Sequence, residues 1–234
     1  EKKKISSENT TSGFSIVRWT GNGTAGATIG HGLGAVPHWM IVKKRSGTDS
    51  WPVYQHKVSS DPQTDYMHLD ETIAVADSAD RWNDTAPTST VATLGDAGAV
   101  NGNSATYVGY FFTEIKGYSK FGVYAANGNS NGPFVYTGFK PAWLMIKCTS
   151  HIGEWFMVDT TREPVNPVGT DSILQADSSA AELTSTDKDI DIVSNGFKIR
   201  AVTGFHNDAG RTYSYYAFAS NPLVSTNNVV ATAK

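Results

Sequence analysis

Apolar and β-branched residues fall in short runs separated by glycine, asparagine and serine, the pattern of strands joined by turns. Phe14 to Trp19 is rich in strand formers and runs into the turn-forming Gly21-Asn22-Gly23. His38 to Lys43 is nearly all apolar and stops at Lys43-Lys44-Arg45, as an inner strand does where it leaves a sandwich. A Ser-Gly-Thr-Asp-Ser turn leads into Trp51 to Tyr54, so these two strands are expected to pair as a hairpin. Val91 to Leu94 and Tyr107 to Ile115 are further strands, and Asn101-Gly102-Asn103 supplies turn chemistry between them. Only Asp65–Ala79 and its counterpart near Thr170–Leu183 have Ala- and Leu-containing stretches without Gly or Pro. Each has room for a short turn of helix, but neither carries a sustained apolar stripe of helical period. The pattern predicts an all-β protein, an antiparallel sandwich or jelly-roll.

The pattern also occurs twice. Pro37-His38-Trp39-Met40-Ile41-Val42-Lys43 returns as Pro141-Ala142-Trp143-Leu144-Met145-Ile146-Lys147, and Trp51 returns as Trp155. Thr106-Tyr107-Val108-Gly109-Tyr110-Phe111-Phe112 returns as Thr212-Tyr213-Ser214-Tyr215-Tyr216-Ala217-Phe218. The chain therefore reads as two homologous copies of a unit of roughly a hundred residues. The expected organisation is a polar lead-in over 1–12, a first repeat over 13–118, a second over 119–223 and a polar tail over 224–234. Second-copy strands are expected at Val123–Tyr124, Ala142–Cys148, Trp155–Val158, Gly196–Ala201 and Tyr213–Ala219. Each copy could form its own lobe, or the two could interlock in one sandwich. The pairing acts as a self-alignment: residues kept in both copies serve the fold, and residues found in one are open to another role.

Composition narrows the function classes. The net charge of −3, without a basic run interleaved with aromatics, gives nucleic-acid binding no support. No apolar stretch approaches the roughly 20 residues of a membrane span. The single cysteine, Cys148, permits no internal disulfide and is read as a buried core thiol. The chain begins at Glu1 rather than methionine, so it reads as a fragment or a processed product.

Few motifs carry chemistry. Gly21-Asn22-Gly23-Thr24-Ala25-Gly26 matches the dinucleotide pattern, but no helix can start well before Pro37 to hold a pyrophosphate, so it reads as a glycine-rich β-loop. Asp187, Asp189 and Asp191 alternate like the start of a calcium loop, yet Ile192 stands where that loop needs glycine. The six histidines lack the close helical spacing of a zinc site. No catalytic residue, metal site or cofactor is assigned. The recurring Trp39, Trp143, Trp51 and Trp155 are read as core or sheet-packing residues, with Trp19 matched by Tyr124. Trp82 has no partner in the other copy and sits in the polar segment Asp80-Arg81-Trp82-Asn83-Asp84-Thr85. A flat ring beside amide and carboxylate groups is the chemistry of sugar binding, so Arg81, Trp82, Asn83 and Asp84 are the candidate ligand-binding residues. The competing reading folds Trp82 onto its own sandwich edge.

Several strings resemble a known family. Gly13-Phe14-Ser15-Ile16-Val17, residues 20–34, Trp39–Lys43, Trp82–Thr90, Gly117–Gly122, Gly132–Phe139 and Ala217–Pro222 together resemble a repeat domain of uncharacterised function in tailed phages. That domain is described as lectin-like or LamG-like and belongs to virion or tail-fibre proteins. The resemblance covers about residues 13–223 and brings no catalytic residue with it. It implies a non-enzymatic structural or adhesive module at the virion surface, outside the host cell. The implied partners are a host-surface glycan or another virion protein, in a homo-oligomer, as trimers are common among such fibres. A polysaccharide depolymerase and a capsid decoration or filament-forming scaffold remain the alternatives.

Overall fold

The computed structural model describes residues 5–164, 166, 171–185, 189–202 and 206–220. The chain divides into two compact units, one ending at Glu114 and the other beginning at Ile115. The boundary precedes the expected one after Tyr118 because 115–119 already close a turn of the second unit. The Tyr118 and Ser119 amides both donate to the Ile115 carbonyl, and the Ser119 hydroxyl accepts from the Ile115 amide.

The first unit contains β1 (Ile5–Asn9), β2 (Phe14–Thr20), β3 (Ala27–Gly30), β4 (Trp39–Lys44), β5 (Pro52–Gln55), β6 (Asp65–His68), β7 (Ala76–Asp77), α1 (Ala79–Trp82), β8 (Val91–Leu94) and β9 (Thr106–Phe112). Seven strands form one antiparallel sheet in the order β1-β2-β9-β4-β5-β6-β7, and β3 pairs with β8 in a second. Alternation decides what faces inward: Ser15, Val17 and Trp19 from β2 and Tyr107 and Phe111 from β9 are buried. All but Ser15 meet Met40 and Val42 of β4, Tyr54 of β5, and Ala92 and Leu94 of β8 in one core. Each large apolar side chain among them contributes about 1.5–3 kcal/mol when fully buried. Gly109 is dictated by this packing, since a Cβ there would lie 2.8 Å from the Trp19 ring.

The second unit contains β10 (Ser119–Ala125), β11 (Phe134–Tyr136), β12 (Trp143–Cys148), β13 (Trp155–Asp159), β14 (Asp171–Gln175), β15 (Leu183–Ser185), β16 (Ile190–Val193), β17 (Gly196–Ile199) and β18 (Thr212–Phe218). Its sheets run β10-β18-β12-β13-β14-β15 and β11-β17-β16. Tyr124, Leu144, Ile146, Cys148, Phe156, Phe197, Ile199, Tyr213 and Tyr215 belong to a core of its own. The order β10-β18-β12-β13-β14 follows the same pairing as β2-β9-β4-β5-β6 in the first unit. The all-β antiparallel class is as the sequence predicts.

Two further expectations change. The lead-in over 1–12 contains a strand: β1 pairs antiparallel with β2, from Ile5 opposite Arg18 to Asn9 opposite Phe14. Its sequence is polar because it is an edge strand, held by backbone hydrogen bonds. The two segments read as room for helix are mainly strand and turn. Asp65–His68 pairs with β5, Asp171–Gln175 pairs with β13, and the short helix begins only at Ala79. The expected tail over 224–234 lies outside the described residues. Among the described residues, no helix is long and apolar enough to cross a membrane.

Candidate functional site

The segment 81–84 is the end and cap of a single helical turn, α1. The Ser78 side chain accepts from the Asp80 amide at its start. At its end Asn83 adopts φ 53°, with its amide donating to the Ala79 carbonyl at 2.8 Å. The Gly95 and Ala97 amides donate to the Arg81 and Asp80 carbonyls, tying the turn to the chain leaving β8. A Cβ at Gly95 would lie 2.2 Å from the Asp80 carbonyl oxygen, so only glycine allows this approach.

That turn swings Trp82 inward. Its side chain is 1% exposed, meets Tyr54 edge-on at 6.1 Å and donates from Nε1 to the Asp65 carbonyl at 3.0 Å. The expected sugar-stacking role of Trp82 is therefore corrected: neither ring face is open to a ligand. Arg81 pairs with Asp80 at 2.7 Å and lies over the Tyr66 ring at 4.5 Å. Asn83 is half-buried at the cap and Asp84 is exposed, also with positive φ. The four residues adjoin in the fold, but they form a capped turn and lack an exposed aromatic platform.

The glycine-rich loop 21–26 has a structural task. It wraps around Asn101, whose Nδ2 donates to Asn22 Oδ1, the Thr24 carbonyl and the Gly95 carbonyl at 3.1, 2.9 and 3.0 Å. Asn101 Oδ1 accepts from the Asn22 amide at 3.0 Å. The second unit repeats this with Asn207, which donates to Asn127 Oδ1, Asn129 O and Ala201 O and accepts from the Asn127 amide. Trp19 Nε1 donates to the Val100 carbonyl where the Tyr124 hydroxyl donates to that of His206. Lys43 and Lys147 each donate to a carbonyl of their own hairpin loop, from Asp49 and Gly153 respectively. Burial lowers the Lys147 ammonium to about 8. The recurring tryptophans pack along the sheets: Trp39 stacks on Phe112 at 4.3 Å, Trp51 lies under Lys43, and Trp143 and Trp155 tilt against Phe218 and Tyr216.

The histidine clusters differ between the units but are bonded as fold elements. His31 is fully buried, receiving the Leu33 amide at Nδ1 and facing the Thr88 carbonyl at Nε2. His38 Nδ1 accepts from the Glu114 amide at 2.9 Å and lies near the Thr113 hydroxyl at 3.2 Å. Burial, aided by neighbouring His56, brings His38 down to about 4. Ser50 and His68 both bond to the Glu71 carboxylate, at 2.6 and 2.9 Å. That arrangement bonds the Ser50 hydroxyl to a carboxylate rather than to an imidazole. The bonds from His68 and Ser50 hold the Glu71 carboxyl below the usual range. In the alternating aspartates, Asp191 pairs with Arg200 at 3.3 Å, and Asp187 lies outside the described residues. Among the described residues no three metal-ligating side chains converge.

One exposed feature escaped the sequence reading. On β11, Val135 points into the core, while Phe134 and Tyr136 on either side are 49% and 62% exposed. The alternation Phe-Val-Tyr was its signal, an apolar strand with large rings on its outward face. In the first unit Ile29 pairs with Ala92 as Val135 pairs with Phe197, which places Thr28 and Gly30 where Phe134 and Tyr136 stand. The rings are thus a property of the second unit alone.

Fold and site together define an all-β protein of two antiparallel sandwich units whose buried polar groups brace loops and hairpins. The chain belongs to the family described as a domain of unknown function (DUF7483), whose profile matches residues 3–222 and so spans both units. No curated protein and no solved structure matches it.

Proposed function

We propose that this chain is a non-enzymatic adhesive and structural module of a phage virion fibre, displayed on the particle surface, with its two units copies of one sandwich. Its partner is a host-surface glycan, and the fibre assembles as a homo-oligomer. The observation that carries the adhesive part is an asymmetry. The polar side chains at Asn101 and Asn207, and at Lys43 and Lys147, hold loops in the same way in both units. The exposed aromatic pair Phe134 and Tyr136 occurs in one and serves no such purpose. Residues needed by a shared architecture recur with it, and a binding surface need not. The resemblance to phage virion domains supplies the setting.

The test uses particles of the phage whose genome encodes this chain. An antibody raised against the purified chain should decorate intact virions, and the purified chain should compete with them for host adsorption. Decoration without competition would replace adhesion with scaffolding. Absence of decoration would overturn the virion assignment.

A further inference from the structure

We propose that the outward face of the β11-β17-β16 sheet is a binding site for a neutral pyranose glycan, with Phe134 and Tyr136 as its stacking rings. The inference rests on the adhesive reading and names its site and ligand class. The register sets Phe134 opposite Lys198, itself opposite Asp191, and sets Tyr136 opposite Gly196. A Cβ at Gly196 would come within 3.2 Å of Phe134 Cε2, so that ring leans across a bare stretch of backbone. Both rings keep about half their surface in water. Two large aromatic side chains left this exposed on a three-residue strand add little to folding. They offer flat apolar surface suited to the CH faces of a sugar ring.

The surrounding charges select the ligand. Arg200 is paired with Asp191, and Lys198 Nζ is tethered at 2.7 Å to the Gly132 carbonyl, leaving ammonium hydrogens to donate outward. The face therefore offers hydrogen-bond donors and acceptors beside aromatic surface without a block of one charge. Nucleic acid and anionic membrane both require surplus positive charge, whereas uncharged hydroxyls need fixed donors and acceptors. The first unit, with Thr28 and Gly30 at the corresponding places, makes the same strand pairing without rings.

The experiment titrates the full chain with short neutral gluco-, galacto- and manno-oligosaccharides by calorimetry, with retardation on immobilised neutral polysaccharide in parallel. Phe134→Ala and Tyr136→Ala should each weaken binding about tenfold or more, the loss of one stacked ring. Tyr136→Phe should retain binding within a few-fold, and thermal midpoints should stay at the wild-type value. Sugar binding that survives both alanine substitutions would overturn this site and leave the adhesive reading intact. Competition for host adsorption without affinity for any neutral sugar would overturn the ligand class alone. Self-association of the wild type that disappears in Tyr136→Ala would reassign the face to an interface between copies. Wild-type chain that fails to compete for adsorption would remove the adhesive reading itself.

Discussion

Replacing Trp82 with alanine separates a core tryptophan from a ligand platform. The ring is 1% exposed, packs against Tyr54, and donates to the Asp65 carbonyl. Truncating a buried tryptophan to alanine costs about 3–5 kcal/mol through lost burial and the cavity left behind. The orphaned Asp65 carbonyl adds about 1 kcal/mol where water cannot reach it. Trp82→Ala should therefore lower unfolding free energy by about 4–6 kcal/mol, a large share of the roughly 5–15 kcal/mol that holds a domain folded. Trp82→Phe keeps most of the ring and loses the indole bond, so its cost should be about 1–2 kcal/mol. Urea unfolding followed by far-UV circular dichroism reads both without depending on tryptophan fluorescence. An alanine variant with wild-type midpoint, or one costing no more than the phenylalanine variant, would refute the packing argument.

Other consequences follow from the same physics. Asn101→Ala removes four side-chain hydrogen bonds and should cost about 2–4 kcal/mol by chemical denaturation, with Asn207→Ala losing a comparable amount. Asn101→Asp should be at least as damaging, because it sets a carboxylate against the Thr24 and Gly95 carbonyls. Asn83→Gly should be neutral within about 0.5 kcal/mol and Asn83→Ala destabilising by about 1 kcal/mol, because the cap needs a left-handed residue. His38, held near 4 by burial, contributes fully above its unfolded value of 6.5, and that contribution is lost as pH falls from there towards 4. Stability should drop by roughly 1–2 kcal/mol over that window once solvent screening is allowed for, and His38→Asn should flatten that part of the profile.

The strands with strong apolar patterns were legible in the chain. Val91–Leu94 matches β8, and Trp39–Lys44, Thr106–Phe112, Trp143–Cys148 and Thr212–Phe218 differ from expectation only near their ends. Edge strands were not, because β1 carries Ser, Ser, Glu and Asn, and its backbone pairing leaves no hydrophobic trace. Trp82 was misleading because its polar neighbours describe the surface of a turn. Ser78 and Asn83 cap that turn and Asp80 pairs Arg81, so polarity there reports local hydrogen bonding rather than exposure of the ring between them. Phe134 and Tyr136 were hidden because no strand was expected over 134–136, a run too short for its alternation to stand out. Only the burial of Val135 shows which face of Phe-Val-Tyr points outward. The self-alignment did not single out Asn101 and Asn207, whose side chains make the same kinds of bonds in the two units. It could not tell a differing turn from a differing surface.

Hydrogen exchange of the full chain with and without a saturating neutral polysaccharide tests the central claim most directly. Exchange should slow at residues 133–138 and 196–200, with 79–85 unchanged. Slowed exchange at 79–85 with 133–138 untouched would contradict it and return the ligand to the turn around Trp82.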